Sequence, residues 1–426
     1  MKNSSYTVFI MSGTNEAKYL TTRRNYNETK EAYIKRISEN KIIDFICWSK
    51  INEKTEFLET GGSGVITKAK WIEKNITVVL KTVVVSEETN SDNDEFIKEI
   101  KAFHNIGLVH SNITNEENKE KESLVGYENV IKFFGVSSDE SELYLILEYA
   151  DLGNLRYYLS KNTINWEQKV NIARQITCGL YFLHKNKILH RDLHTKNVVI
   201  QKDGNGVKAI ITDFGLSKVL SRNSKSNQKI TGCLPFVDPE ILDHNAIPDY
   251  KSDIYGLGVI LWEITSNGRP PFGKCNSVLA FSIEIIKGVR ETPINGSTIS
   301  YVKLYTDCWD GNPKLRPEIE QVYKLIQQED IISGEIWKDS SQSCISDADT
   351  DQIILSEKNE KNEKKSIKTN NEQIYNKMLE MFGLLSAKDL EMFEQLSAKD
   401  PSEMVRLVQA AAAHQKNVAS SEADEQ

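Results

Sequence analysis

The sequence predicts an α+β protein in which a small β-rich half precedes a larger helical half. Between Phe57 and Val85 the apolar residues gather in short β-branched runs around a Gly-Gly-Ser-Gly turn, the pattern of a β-meander. After Gly153 the apolar segments lengthen to helical dimensions and take up a helical period. Length agrees with this division, because 426 residues exceed one ordinary domain and suggest two or three units, or one large fold with appendages.

Taken in order, residues 1–45 are a polar N-terminal extension, in which Ala32, Ile34, Ile37, Ile42, Ile43 and Phe45 mark one short helix between Glu28 and Ile46. The folded domain is expected at 46–330, its smaller half at about 46–148 and its larger half at about 151–330. The runs VITKAKWI and ITVVLKTVVV supply strands of the meander. A helix follows in DNDEFIKEIKAFHNI, with Phe96, Ile100 and Phe103 on one face and Asp92 or Asp94 as N-cap. The polar segment HSNITNEENKEKES reads as a loop insertion, and NVIKFFGVS and ELYLILEYA read as two more strands. WEQKVNIARQITCGLYFLH and SDIYGLGVILWEITS have helical length and period. The Ser-, Asp-, Lys-, Glu- and Asn-rich residues 331–371 form an expected disordered linker. A repeat of period eleven then begins with MFGLLSAKDLE and MFEQLSAKDPS, where Ser386 with Asp389 and Asp400 with Glu403 have helix-cap spacing. Short amphipathic helices are expected over 372–416 and a disordered tail over 417–426. The helices' Met378, Met381, Phe382, Leu385, Met392, Phe393 and Leu396 are expected to mediate association with another protein or a second copy.

Composition removes several function classes. Hydrophobic residues at 39% and charged residues at 27% argue against collagen, wholesale disorder and a multi-span membrane protein. With 61 acidic against 53 basic residues the net charge is −8, so the chain carries no overall electrostatic footprint for nucleic acid. Six cysteines without a CxxC pair suggest neither a zinc site nor a disulfide framework, and a reducing, cytoplasmic compartment fits them. The apolar run near the start is too short for a secretory segment. The longest apolar stretch, Ile254 to Trp262, is about half of what a bilayer needs and reads as a buried helix, with no membrane span.

The chemistry concentrates in one string, His190-Arg191-Asp192-Leu193-His194-Thr195-Lys196-Asn197, followed sixteen residues later by Asp213-Phe214-Gly215. Upstream lie Lys81, in the strand run VVLK, and Glu99, in the amphipathic helix eighteen residues on. In this order the set resembles the protein-kinase signature. The resemblance covers about Ile46 to Gln328 and extends to the segment Gly232 to Glu240, to Asp253, and to Cys308-Trp309 with Arg316. The chain thus looks like a eukaryotic-type protein kinase, and HRDLHTKN is most similar to the tyrosine-kinase-like group. The resemblance implies a bilobal protein-kinase fold, with a small β-rich N-lobe, a larger helical C-lobe and the active site in the cleft between them.

That resemblance also implies ATP and Mg²⁺, and elementary physics explains the residue types. A transferring phosphoryl group is multiply charged, so catalysis is mainly positioning and charge neutralisation. Lys81 is expected to pair with the α- and β-phosphates, oriented by Glu99. Asn197 and Asp213 offer hard oxygen ligands to Mg²⁺. Asp192 is expected to accept the substrate hydroxyl's proton, a function worth about 10²–10⁴-fold. Lys196 could reach the transferring phosphate, and Phe214 would pack beneath the helix carrying Glu99. Leu147 occupies the gatekeeper position, with backbone groups of Glu148 and Ala150 expected to bond adenine. Glu240 with Arg316 would form a buried structural ion pair, and Asp253 would hold the backbone of the His190-Arg191 loop.

The glycine-rich loop departs from the family. Ile66 takes the valine's place and Gly61 and Gly64 the second and third glycines', with Gly62 between them, which leaves Glu59 at the first and Ser63 where an aromatic usually caps the phosphates. The glycines let backbone N–H groups approach phosphates without a Cβ in the way. A carboxylate about 4 Å from a phosphate oxygen costs roughly 1–4 kcal/mol, unless Glu59 points into solvent. Its place and that of Ser63 support a competing reading, a pseudokinase scaffold that binds nucleotide and transfers phosphate poorly. The polar stretch from Leu216 to Thr231 holds the candidate phosphorylation sites Ser217, Ser221, Ser224, Ser226 and Thr231, with Arg191 placed to pair with one phosphate. His194 stands where serine/threonine kinases usually carry a lysine, and Cys233 where many carry a threonine. The tyrosine-kinase loop forms are also absent; the resemblance of HRDLHTKN to the tyrosine-kinase-like group, whose members mostly phosphorylate Ser and Thr, implies a protein substrate with a Ser or Thr acceptor in preference to Tyr.

Overall fold

The computed structural model describes residues 30–39, 43–51, 56–61, 64–82, 95–114, 124–139, 142–215, 218–219, 233–244, 246–272 and 284–338. The expected linker beyond 338, the C-terminal helices, the tail, the caps Asp92 and Asp94, and the residues Gly62, Ser63, Ser217, Ser221, Ser224, Ser226 and Thr231 lie outside them. Contacts divide the described residues into two units: one takes those within 1–155, 175–190 and 197–222, and the other those within 156–174, 191–196 and 223–338.

The first unit is built on a five-stranded sheet. Its strands are β1 (Glu56–Gly61), β2 (Gly64–Trp71), β3 (Ile76–Thr82), β4 (Phe133–Ser138) and β5 (Leu143–Glu148), in the order β1-β2-β3-β5-β4. All neighbours are antiparallel, and the register sets Ile66 opposite Lys81 and Val79 opposite Leu147. β-branched Val78 with Leu80 and Ile146 is fully buried, and Trp71, Ile46 and Ile51 close over that core. Edge strand β4 is covered by the chain ahead of the meander. Ile46 N–H donates to Val136 O at 2.8 Å and Val136 N–H donates to Asp44 O at 2.9 Å, removing an open sheet edge. Gly135 permits this approach: its φ is +141°, and a Cβ there would lie 2.3 Å from Asp44 O.

Helix α1 (Lys30–Glu39) occupies part of the span predicted for it, and helix α2 (Glu95–Thr114) outruns its prediction. The first five residues of the expected loop insertion, HSNIT, continue this helix. Elongation adds one hydrogen bond for each residue fixed, so a polar stretch following a formed helix extends it at little cost. Two small pairs complete the unit: β6 (Ile188–Leu189) with β9 (Lys218–Val219), and the hairpin of β7 (Val198–Asp203) with β8 (Gly206–Ile211).

In chain order, helices α3 (Leu155–Lys161), α4 (Trp166–Lys185) and α5 (Pro239–His244) follow α2. The second unit is helical and centres on α6 (Tyr250–Thr265), whose residues from Asp253 onward are buried. Asp249 starts it with a capping box, accepting from Lys251 N–H and Ser252 N–H. A helix apolar on all sides must be enclosed by protein or lipid, and this one is enclosed by protein. It packs on α7 (Ile299–Cys308) at Gly258, where a Cβ would come within 2.9 Å of Trp309 N. Among the described residues no helix is long and apolar enough to cross a membrane.

Two expectations need correction here. Arg316 is held by Asp238 and not by Glu240: its Nη1 and Nη2 donate to Asp238 carboxylate oxygens at 2.6 and 2.8 Å, with both side chains buried. Asp238 caps α5 (Pro239–His244), accepting from Glu240 N–H at 3.0 Å, so the carboxylate facing Arg316 belongs to the cap and Glu240 lies in the first turn. The expected start of the linker at 331 is also corrected, because the described chain is structured through that position. Residues Asp330–Ser333 form a helix, Ile331 is buried, and Trp337 N–H donates to Ser297 O at 2.9 Å. Buried Ile331 and half-buried Ile332 and Trp337 give this stretch apolar surface to stay on the unit.

Candidate active site

In the first unit, Lys81 stands on β3 and Glu99 on α2, with side chains almost wholly buried. Lys81 Nζ donates to Glu99 Oε2 at 2.9 Å and Oε1 at 3.0 Å, and to Asp213 Oδ1 at 3.0 Å. Burial alone would disfavour the ammonium, but the Glu99 and Asp213 carboxylates outweigh it and hold the Lys81 pKa above the ordinary lysine range. Lys81 is therefore charged. Burial pushes the Glu99 carboxyl up, opposed by Lys81 and by a hydrogen bond from the Phe214 backbone. One ammonium against two carboxylates leaves net negative charge in a buried place, which suits a further cation.

Asp213 adopts φ +67°, the left-handed region that non-glycine residues rarely occupy, and its Oδ1 also accepts from Gly215 N–H at 3.3 Å. Asn197 lies beside it through the backbone bond from Thr212 N–H to Asn197 O at 2.9 Å, and Asn197 is buried. Among the described residues no cluster of three or more His, Cys, Asp or Glu could hold a metal unaided. Two oxygen donors, Asn197 and Asp213, fit a hard divalent cation that keeps waters and completes its shell from phosphate oxygens. Phe214 is fully buried, edge-on to Phe103 of α2 at 5.4 Å and 5.3 Å from the His190 ring, while Phe103 stacks on Phe133 at 4.7 Å. This aromatic row ties the Asp213 segment to the helix that carries Glu99.

The expected adenine-side residues lie in the same unit. Leu147 is buried on β5, and Ile66 is half-buried on β2. Glu148 N–H is used within the unit, donating to Lys132 O at 2.9 Å. Ala150 is half-buried just after β5. Gly61 pairs with Gly64 where β1 turns into β2. Gly64 has φ +126°, and a Cβ there would sit 2.1 Å from Thr82 O, so glycine is required by the fold of the turn itself. Glu59 is exposed.

In the second unit, the segment 191–196 is fastened to α6. Arg191 N–H donates to Asp253 Oδ1 at 2.8 Å, the expected anchor. Gly256 lets Leu193 O come within 2.8 Å of where a Cβ would stand. Thr195 Oγ1 donates to Glu263 Oε2 at 3.0 Å. Glu263 is completely buried and is neutralised by Arg156, which donates from Nε at 2.6 Å and from Nη2 at 2.9 Å. Arg191 adopts φ +71°, and burial lowers its guanidinium pKa against the pull of Asp253. Asp192 is half-buried and Lys196 exposed. The roles of Arg156, Thr195 and Glu263 carried no signal in the sequence, because more than a hundred residues separate Arg156 from its partner.

The family model for the protein kinase domain matches residues 52–325. A chain named as a serine/threonine-protein kinase/receptor, R831, of Acanthamoeba polyphaga mimivirus is 28% identical over 277 residues, covering 63% of this chain and 16% of its own. Dual specificity testis-specific protein kinase 2 of Rattus norvegicus is 28% identical over 207 residues, covering 48% of this chain and 36% of its own. The tyrosine-protein kinase transforming protein Abl of Abelson murine leukemia virus is 26% identical over 286 residues, covering 66% of this chain and 35% of its own. The chain thus matches well under half the length of each of these relatives.

Proposed function

The chain belongs to the protein kinase family, with its α+β fold, and from that premise we propose that it transfers the γ-phosphate of ATP to protein hydroxyls, to Ser or Thr in preference to Tyr. The observation that carries this reading is Lys81 bonded to both Glu99 and Asp213 in a buried site. Lys81 holds the α- and β-phosphates, and Glu99 keeps its ammonium in place. Asn197 and Asp213 hold Mg²⁺, which when bound neutralises charge on the phosphate oxygens. The carbonyl of Glu148 and the N–H of Ala150 bond adenine under Leu147 and Ile66, and Gly61, Gly62 and Gly64 bring backbone to the phosphates. Asp192 accepts the acceptor hydroxyl's proton, and Lys196 attends the phosphate in transfer.

Ser and Thr are favoured by the HRDLHTKN string, which resembles that of the tyrosine-kinase-like group, and by relatives named as serine/threonine kinases. Ser217, Ser221, Ser224, Ser226 and Thr231 remain the proposed regulatory sites, with Arg191 as the partner of a phosphate there. The cysteine usage favours a cytoplasmic location. The scaffold reading loses support from Glu59, whose exposure lets its carboxylate stay in water. Incubating the chain with Mg²⁺, labelled ATP and a general acceptor protein, followed by phosphoamino-acid analysis, tests the proposal. Label on Ser or Thr is expected. Tight ATP binding with no transfer would favour the scaffold, and label confined to Tyr would reverse the acceptor class.

A further inference from the structure

We propose that His194 is a positioning residue for Asp192, holding the carboxylate at one rotation for proton acceptance; this rests on Asp192 being the base. The His194 ring is buried, 9% exposed, and lies against Phe236 with centroids 5.9 Å apart. Its Nδ1 accepts from Lys196 N–H at 3.2 Å. A neutral imidazole has one bare nitrogen and one N–H, so this bond assigns the proton to Nε2. Nε2 stands 3.5 Å from Asp192 Oδ1. The chain on either side is fixed, by Leu193 O against Gly256 and by the Thr195 hydroxyl on Glu263, and the ring itself is held by Phe236 and by the bond from Lys196 N–H.

The contact at 3.5 Å is longer than a full hydrogen bond, which runs about 2.7–3.2 Å, and a small turn of the carboxylate closes it. Such catalytic contacts are commonly long before substrate arrives and tighten in the reacting complex. With Oδ1 drawn to Nε2–H, rotation about the carboxylate's own bond is blocked and Oδ2 keeps a single heading toward the acceptor hydroxyl. No proton is transferred between His194 and Asp192: the ring donates a hydrogen bond throughout, and the proton from the acceptor goes to Asp192.

Two variants and one spectrum test this. His194→Phe keeps the ring packing on Phe236 and removes the donor, whereas His194→Gln supplies an amide N–H of similar reach. His194→Phe, which also takes the acceptor from Lys196 N–H, is expected to lower kcat about tenfold to a hundredfold, the scale of a misplaced reacting group, with KM for ATP unchanged and the melting temperature slightly lowered. His194→Gln is expected to recover most of the loss. Wild-type kcat in His194→Phe, or equal losses in both variants, would overturn the proposal. Independently of turnover, ¹⁵N resonances of the ring at neutral pH should show Nε2 protonated and Nδ1 bare; the opposite tautomer would also overturn it. A wild-type chain that binds ATP and transfers nothing would refute the proposed function instead, and the ring spectrum alone would then judge the placement of His194.

Discussion

Lys81 Nζ lies 2.9 Å from Glu99 Oε2, although one residue stands on a strand and the other on a helix eighteen residues further along the chain. The same ammonium reaches Asp213 at 3.0 Å, so three segments meet on one cation. Lys81→Met would leave the buried Glu99 carboxylate and the half-buried Asp213 carboxylate facing each other without it. Breaking a buried pair from one side costs about 3–5 kcal/mol, so the variant should melt several degrees lower in calorimetry as well as lose phosphoryl transfer. Glu99→Gln, which keeps the shape and one acceptor, should melt closer to wild type while its activity falls.

Gly64→Ala tests the turn between β1 and β2. The left-handed φ and the contact with Thr82 O together predict a loss of about 1–3 kcal/mol in denaturant unfolding, with weaker ATP binding by calorimetry. An unchanged midpoint would mean the turn relaxes freely.

Asp238→Asn separates the observed Arg316 partner from the expected one. Removing its charge strands a buried guanidinium and should destabilise the chain by about 3–5 kcal/mol. Glu240→Gln should cost much less, as measured by urea unfolding.

Alkaline pH should weaken the second unit through buried groups. Burial pushes the Cys308 thiol well above its ordinary value of 9.0 and the Tyr255 hydroxyl from 10.0 up to about 12. Both are therefore neutral in the folded chain where the unfolded chain has begun to ionise. Their contribution is fully present below pH 9.0 and is lost as pH rises, by about 1.4 kcal/mol per pH unit for each group titrating. The Tyr255 hydroxyl has no hydrogen-bond partner among the described residues, and the Arg290 and Arg316 guanidinium groups lie over the Tyr255 ring, 5.4 and 5.1 Å from its centroid. Tyr255→Phe should therefore be as stable as wild type, or more so, at pH 7, and lose less stability between pH 10 and 12 in thermal melts.

Much of this site was legible in the chain because its residues sit at fixed offsets within local elements. Lys81 in a β-branched run and Glu99 in an amphipathic period announce a strand and a helix, and the Lys81–Glu99 pair follows from the family pattern they match. Asp253 was legible in the same way. Choices between nearby carboxylates were not, and Arg316 shows why: Asp238 and Glu240 are two residues apart, and the helix cap that turns Asp238 toward the guanidinium is a matter of backbone direction. The end of α2 was misjudged because polar composition marks exposure more reliably than it marks helix termination. The contact of His194 with Asp192 depends on which ring nitrogen accepts from Lys196 N–H, and composition carries no trace of that.

The most direct test of the central claim is intact-mass measurement of phosphate incorporation with Mg²⁺ and ATP, wild type beside Asp192→Asn. Wild type should gain mass in steps of one phosphate, on Ser or Thr, while Asp192→Asn binds ATP equally, melts at the same temperature and gains phosphate about 10²–10⁴-fold more slowly. Equal incorporation by the two chains, or none by wild type despite bound nucleotide, would contradict the account.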